Sequence, residues 1–290
     1  MSLDVTDFPL SDAEFARVRA RVYEMAGISL GDSKRTLVIA RLSKLVRTRG
    51  LNSFDAYLNR LEDHPGPGDL QEFINALTTN LTRFWREEHH FTHLVGYVGE
   101  LMKSNTHQAT RRLRIWSAGC STGQEPFTIA LSLLSTYPDL KRWDFRVLAT
   151  DIDTAVLAKA ASATYPASEV AGLPAERRRL FEVLPDDRVR VPAEFASVIS
   201  FKPLNLMGDW PMKGPFDAIF CRNVTIYFDK QTQREVFERL GAILMPGGFL
   251  YIGHSEHMGA GNHGCRLVGK TIYQAAGVQQ PVAAKTRGAA

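Results

Sequence analysis

The chain has 290 residues, 44% of them hydrophobic, and a net charge of +4. That is apolar material enough for a real core, in one large domain plus a smaller one, and the mild charge permits acidic partners without calling for nucleic acid. Three scattered cysteines (Cys120, Cys221, Cys265) share no metal-ligand spacing, and neither a secretion leader nor an apolar run of about 18 residues occurs, so the expectation is a reduced cytoplasmic protein with no membrane insertion.

The first part reads as helical. "LSDAEFARVRARVYEMAGI" opens with Ser11 as cap and Glu14 three residues on, and Phe15, Val18, Val22 and Met25 recur at helical spacing. A second helix spans Ser33 to Thr48 and stops at Gly50. "NSFDAYLNRLED" is a third. "HPGPGD" then interrupts the pattern and signals a domain boundary nearby. "LQEFINAL" and "EEHHFTHLVGYVGELMKS" resume as helices around an irregular "TTNLTRFWR".

From Arg112 strands and helices alternate. "RLRIWSA", "DFRVLATDID", "VISFKPLNL", "FDAIFCRN" and "GGFLYIGHS" read as strands, with helices over 126–135, 154–163 and 230–244. This order predicts an α/β doubly wound parallel sheet with helices on both faces. "RLVGKTIYQAA" reads as an added edge strand. Residues 278–290 lack aromatics and periodicity and are expected to be a disordered tail.

In "RLRIWSAGCSTGQEPFTIAL" a strand runs into the Gly119–Gly123 turn and then a helix, the arrangement that brings backbone close to a ligand at a helix N-terminus. The turn lacks Gly-Lys-Ser/Thr and so is no P-loop, and two glycines separated by three residues, with no third glycine following, are a poor dinucleotide fingerprint. Alone it could be a tight turn with no ligand. The next strand, however, ends in Asp151 and Asp153. An acidic residue there lies beside the turn and can bind both ribose hydroxyls of an adenosine. With no diphosphate machinery, and with Glu125 able to face a cationic ligand, the pair favours S-adenosylmethionine.

"TTNLTRFWREEHHF", "WSAGCSTGQEPFTIA", "LATDIDTAVLAKA", "FDAIFCRNVTIYFD" and "PGGFLYIGHSE" together closely resemble the chemotaxis receptor methyltransferases, the CheR family, over roughly residues 11 to 275. The resemblance implies a small all-α N-terminal domain (1–77) that docks on receptors. It also implies a class I S-adenosylmethionine-dependent methyltransferase domain (78–277) with a small β-subdomain within 173–198. The implied activity is methyl transfer to glutamate side chains on the cytoplasmic helices of methyl-accepting chemoreceptors, leaving S-adenosylhomocysteine. It places cofactor contacts at Asn80, Thr82, Arg86, Gly119, Glu125, Asp151, Asn205, Leu206, Cys221, Arg222 and Asn223, with Asp153 a weaker candidate, and catalytic roles at Arg86 and Tyr227. Two departures, Gln124 for the frequent Glu and Thr225 for Met or Leu, adjoin these contacts. The enzyme is expected to act as a monomer.

Methyl transfer to a carboxylate is an in-line displacement, and a glutamate is already ionised near neutral pH, so no general base is needed. Alignment and water exclusion remain. Arg86 suits a forked grip on the carboxylate and Tyr227 one further hydrogen bond. His89, His90, His93 and His254 are assigned to packing and surface, with no metal, since adjacent histidines on a helix point two ways. On the second helix Lys34, Arg41, Lys44 and Arg47 oppose Val38, Ile39, Leu42, Leu45 and Val46. Arg41, Lys44 and Arg47 are therefore either a solvated face or a docking face for glutamate-rich receptor helices. The segment "LPAERRRLFEVLPDDRVRVPAEFASV" contains no glycine, which makes positions with φ > 0 costly. That points to an altered loop and to recruitment independent of a C-terminal receptor pentapeptide. A nucleic-acid methyltransferase would carry Asn/Asp-Pro-Pro-aromatic where "RNVTIYF" stands. A ligand sensor that kept the pocket and a nicotinamide oxidoreductase are the other rivals.

Overall fold

The computed structural model describes residues 8–259 and 264–276; the tail expected at 278–290 lies outside them. Helix α1 (Asp12–Ala26) starts with a complete capping box: Ser11 Oγ accepts from the Glu14 amide, and the Glu14 carboxylate accepts from the Ser11 amide at 2.6 Å. It ends at Gly27, whose φ of +69° suits glycine. The second helix is shorter than its pattern: Asp32–Lys34 form a 3-10 turn before α2 (Arg35–Thr48). Ser53 caps α3 (Phe54–Asp63).

The proline-glycine break does not separate domains. Beyond it α4 (Asp69–Leu77) returns to the same core, where Phe73 and Leu77 pack with Phe15, Leu42 and Leu58. Arg49 and Arg60 hold the buried Asp69 carboxylate at the start of α4, at 2.6 and 3.2 Å. Two charged side chains thus pin the turn that composition alone marks as a linker.

After an irregular stretch come α5 (His89–Lys103) and the short α6 (Asn105–Thr110), then β1 (Arg112–Ala118), α7 (Gln124–Thr136), β2 (Asp144–Asp151) and α8 (Thr154–Ala161). An insertion follows, built of β3 (Thr164–Pro166), α9 (Ser168–Ala171), α10 (Ala175–Arg178), β4 (Glu182–Leu184), β5 (Arg188–Arg190) and α11 (Ala193–Ala196). The chain then resumes with β6 (Ile199–Pro203), β7 (Phe216–Cys221), α12 (Lys230–Ala242), β8 (Leu244–Ile252), β9 (Cys265–Gly269) and β10 (Ile272–Ala275).

The main sheet has seven strands in the order β6-β2-β1-β7-β8-β10-β9. The first five are parallel; β10 runs antiparallel to β8, and β9 antiparallel to β10. The single edge strand expected at 266–276 is thus a hairpin of two. Strand order reverses between β1 and β7, which opens a crevice beyond their carboxyl ends, where ligands bind in such sheets.

The β-subdomain is larger than the segment 173–198. Its sheet, β3-β5-β4, recruits Thr164–Pro166 from before that segment, and β4 is a strand that the sequence pattern did not signal. The turn from β4 to β5 needs left-handed backbone and obtains it from Asp186 (φ 64°) and Asp187 (φ 52°). Aspartate tolerates that region better than most side chains. The missing glycine therefore does not prevent the turn, and the hairpin forms with two aspartates in its loop.

Candidate active site

Three strand ends converge on the crevice. β1 delivers the Gly119–Gly123 turn, β2 delivers Asp151, and β7 delivers Arg222, Asn223 and, through a 3-10 turn, Tyr227. Segment 78–86 and the end of α1 close it from the other side, so the cavity has walls from both domains. Its assembly depends on close backbone approach at Gly119: φ is +81°, and a Cβ would lie 2.2 Å from Val224 Cγ2.

Asp151 is fixed by the backbone. Its oxygens accept from the amides of Ser121 (2.8 Å) and Asp153 (2.9 Å). Each oxygen keeps a lone pair for a hydroxyl donor. Burial pushes its pKa up against the pull of those amides. Asp153 has a different task. One oxygen caps α8 through the amides of Ala155 and Val156, and the other accepts from Thr78 Oγ1 and the Asn80 side chain, each at 2.7 Å. The Asn80 amide thereby ties segment 78–86 to the crevice, and its backbone carbonyl accepts from Ser121 Oγ.

Glu125 is buried beneath the turn. It accepts from Ser117 Oγ at 2.7 Å and from the Arg222 guanidinium at 3.0 Å. Burial raises its pKa, and Arg222 opposes that rise. Arg222 also donates to the backbone carbonyl of Arg86 and lies 3.5 Å from Glu87. A buried cation between two carboxylates thus fixes the backbone from which the Arg86 side chain projects. Glu87 is held below the ordinary carboxylate range, because the His254 hydrogen bond and the Arg222 charge outweigh its burial. Beside it His90 is buried, its Nε2 3.0 Å from Thr271 Oγ1, and burial depresses its pKa to about 3.

Arg86, Tyr227, Thr82, Leu206 and Asn223 line the cavity. The Arg86 guanidinium donates to Leu81 O at 2.9 Å, which leaves most of its N–H groups for a ligand. The Tyr227 carbonyl accepts from the Ser29 amide at 2.8 Å, so this residue is positioned from the N-terminal domain. Asn205 also lines the cavity, but its side chain is committed elsewhere: it donates to Met25 O at 2.7 Å and accepts from the Met207 amide. Cys221 corrects the expectation for that position. Its side chain is fully buried in the core around Trp116 and Leu250, away from the cavity lining.

The face of α2 is also reassigned in part. Arg41 donates to the carbonyls of Ala76 and Thr78 at the end of α4, an internal C-terminal cap. Arg47 lies over the Phe8 ring. Lys44 is exposed. The two departures from the family pattern fit their surroundings. Gln124 donates to Glu169 at 2.8 Å, where a glutamate would face another carboxylate, and the Thr225 hydroxyl donates to Glu256.

Glu256 is the functional residue that sequence reasoning missed. Its buried carboxylate accepts from the amides of Asn223, Val224, Thr225 and Gly253 and from Thr225 Oγ1, between 2.5 and 3.0 Å. It organises the segment that carries Arg222, Asn223 and Tyr227. The available signal was a lone carboxylate just beyond the apolar strand "FLYIGHSE".

The donor set fits S-adenosylmethionine. Asp151 offers acceptors to a ribose, no cation stands in the Gly119–Gly123 turn to meet a diphosphate, and the carboxylates of Glu125 and Asp151 suit a positively charged ligand. Comparison with known proteins agrees. The description of the CheR methyltransferase SAM binding domain matches residues 80–274, and that of the CheR methyltransferase all-alpha domain matches residues 13–78. The chemotaxis protein methyltransferase of Escherichia coli (strain K12) is 44% identical over 272 residues, 91% of this chain and 91% of the relative. The probable chemotaxis protein methyltransferase of Rhizobium etli is 43% identical over 87% of this chain and 96% of its own length. Chemotaxis protein methyltransferase 2 of Pseudomonas aeruginosa is 41% identical over 93% of this chain and 95% of its own length. With both of its parts matched, this chain belongs to the CheR methyltransferase family.

Proposed function

We propose that this chain is an S-adenosylmethionine-dependent protein-glutamate O-methyltransferase of the chemotaxis system. It esterifies glutamate side chains on the cytoplasmic helices of methyl-accepting chemoreceptors and works as a cytoplasmic monomer. One observation carries the reading: a single cavity holds a backbone-fixed Asp151 on its floor and, with it, Arg86 and Tyr227. When bound, S-adenosylmethionine supplies a methyl group on positively charged sulfur and leaves as S-adenosylhomocysteine.

The chain's own residues do the rest. Asp151 accepts from the ribose hydroxyls, and Glu125, buried beside the turn, presents negative charge to a cationic ligand. Arg86 holds the substrate carboxylate by its free N–H groups, and the Tyr227 hydroxyl donates a further hydrogen bond to it. Neither takes a proton, because the attacking carboxylate has none to lose. Residues of α1 and of segment 78–86 cover the site and exclude water. The test uses tritiated methyl donor and chemoreceptor-containing membranes. Label should appear on the receptor and be released by mild base, as an ester is. Base-stable label, or none, refutes the assignment.

A further inference from the structure

Arg86 sits on a turn whose backbone is strained on both sides of it. Trp85 and Glu87 are left-handed, with φ of 50° and 57°. For a side chain as bulky as tryptophan that region is a steric outlier. Such a turn persists only where the surrounding contacts over-determine it. Glu87 is held by His254, which hydrogen-bonds one carboxylate oxygen, and by the charge of Arg222. The hold on Trp85 and Glu88 comes from the insertion between α8 and β6.

Arg177, in α10, stands over the Trp85 ring, its guanidinium carbon 4.8 Å from the centroid, and the same guanidinium pairs with Glu88. One side chain thus grips the residue before Arg86 and the second residue after it. A guanidinium can do both, because its flat face stacks while its edge donates. Behind this clamp the insertion turns two rings edge-on to Phe84, Tyr165 at 5.1 Å and Phe181 at 5.0 Å. The Tyr165 hydroxyl also donates to Thr122 O at 2.6 Å, inside the Gly119–Gly123 turn. The insertion is therefore fastened to the cofactor turn and to the segment that carries Arg86, although no described residue of it lines the cavity.

We infer that Arg177 is a positioning residue for methyl transfer: it locks the strained turn Trp85–Glu88 so that Arg86 projects into the cavity. This rests on the proposed role of Arg86 as the grip on the substrate carboxylate. The Arg86 guanidinium meets the protein at Leu81 O, an acceptor on its own segment, so the direction of the side chain follows the backbone beneath it. Without Arg177 the Trp85 backbone relaxes toward φ < 0, and the Arg86 side chain swings away from the reacting carboxylate. A misplacement of that kind lowers the rate of the aligned displacement without removing any contact to the cofactor.

The test compares Arg177→Ala, Arg177→Lys and Arg178→Ala with the parent chain, in receptor methylation and in hydrogen exchange of the peptide 78–88. Arg177→Ala should lower kcat by about 5- to 20-fold, as expected for losing a part-buried cation–π contact together with an ion pair. Receptor KM and S-adenosylhomocysteine affinity should stay within about twofold. Arg177→Lys keeps the charge for Glu88 but not the flat face for Trp85, and should recover part of the loss. Arg178, in the same short helix, donates to the carbonyls of Ala171 and Leu173 within the insertion. Arg178→Ala should therefore keep kcat within about twofold. In an Arg86→Ala background, Arg177→Ala should cost no more than about twofold further, because a residue that acts through Arg86 has nothing left to position. A merely structural role would instead multiply the two losses. Exchange over 78–88 should quicken in Arg177→Ala while that of β1 and β7 stays as in the parent. If Arg177→Ala does not fold, Arg177→Lys carries the same comparisons. Normal kcat, unchanged exchange over 78–88, an equal loss in Arg178→Ala, or a full further loss on Arg86→Ala overturns the clamp. Faster exchange over 78–88 in a chain that labels no receptor keeps the clamp and removes the proposed function.

Discussion

Replacing Glu256 by glutamine probes how the catalytic segment is held. The carboxylate has five donors arranged on its two oxygens, three on one and two on the other. Glutamine can keep its carbonyl oxygen toward the Val224 and Thr225 groups, which turns its NH2 onto the amides of Asn223 and Gly253. Two hydrogen bonds to a charged acceptor are then lost, each about 1.5–3 kcal/mol, and the other three become bonds to a neutral oxygen. Local relaxation recovers part of this, which leaves a destabilisation of about 3–5 kcal/mol. The site has little room to adjust, because a Cβ at Gly253 would already lie 2.8 Å from Glu256 Oε2. At about 2–4 °C per kcal/mol for a domain of this size, the Tm of the methyltransferase domain should fall by roughly 6–20 °C. Thermal unfolding followed by circular dichroism measures the shift. Receptor methylation below the melt should show kcat reduced by about tenfold or more, with the apparent receptor KM within about threefold, since Arg222, Asn223 and Tyr227 lose alignment while the exposed lining residues Thr79 and Leu81 are untouched. A Tm change under about 2 °C together with normal turnover would mean that the segment is held by something else.

Asp151→Ala should weaken S-adenosylhomocysteine binding by about 10- to 100-fold in calorimetry, the loss of hydrogen bonds to a charged group; unchanged affinity in a folded variant places the ribose elsewhere. Arg86→Ala should lower kcat by about 100-fold and Tyr227→Phe by about 3- to 10-fold, since the first removes a forked cationic grip and the second a single hydrogen bond from a neutral donor; near-normal turnover in Arg86→Ala rules out its central role. Stability should fall as pH drops from about 6.5 toward 3. In that window unfolded histidine takes up a proton that buried His90, held near 3, refuses, and lower in it the depressed carboxylate of Glu87 is progressively protonated. Denaturant titrations of His90→Asn should show a shallower acid slope than wild type, and an unchanged slope assigns the effect to other groups.

Much of this was legible in the chain. Ser11 and Glu14 announced α1 because a capping box is local chemistry, and β1 fell where its apolar run lies because both faces of a central strand are buried. Asp151 was legible because strand order fixes what lies beside a βα turn. What the sequence hid depends on contacts between distant residues. Asp69 is pinned by Arg49 and Arg60, so "HPGPGD" is a corner within a domain and not a linker between two. The short β4, with two of its three residues exposed, carries no alternation to read. Asn205 and Arg41 have the right residue types for ligand contact, yet tertiary packing spends their donors on the carbonyls of Met25, Ala76 and Thr78. Cys221 shows the reverse: one position along a strand end separates a core thiol from a cavity-lining arginine.

The hydrogen bonds joining the two domains bear on how the molecule comes apart. Gln71 to Ile152, Asn205 to Met25, Ser29 to Tyr227 and Tyr23 to Asp229 all cross the boundary, and the nucleoside cavity lies between them. A molecule lodged there touches two separately cored bodies and acts as mortar between them. Calorimetric scans of the free chain should therefore resolve two melting events, the helical body leaving first. Saturating S-adenosylhomocysteine should merge them into one. A single event without ligand would mean that the polar clasp alone couples the domains.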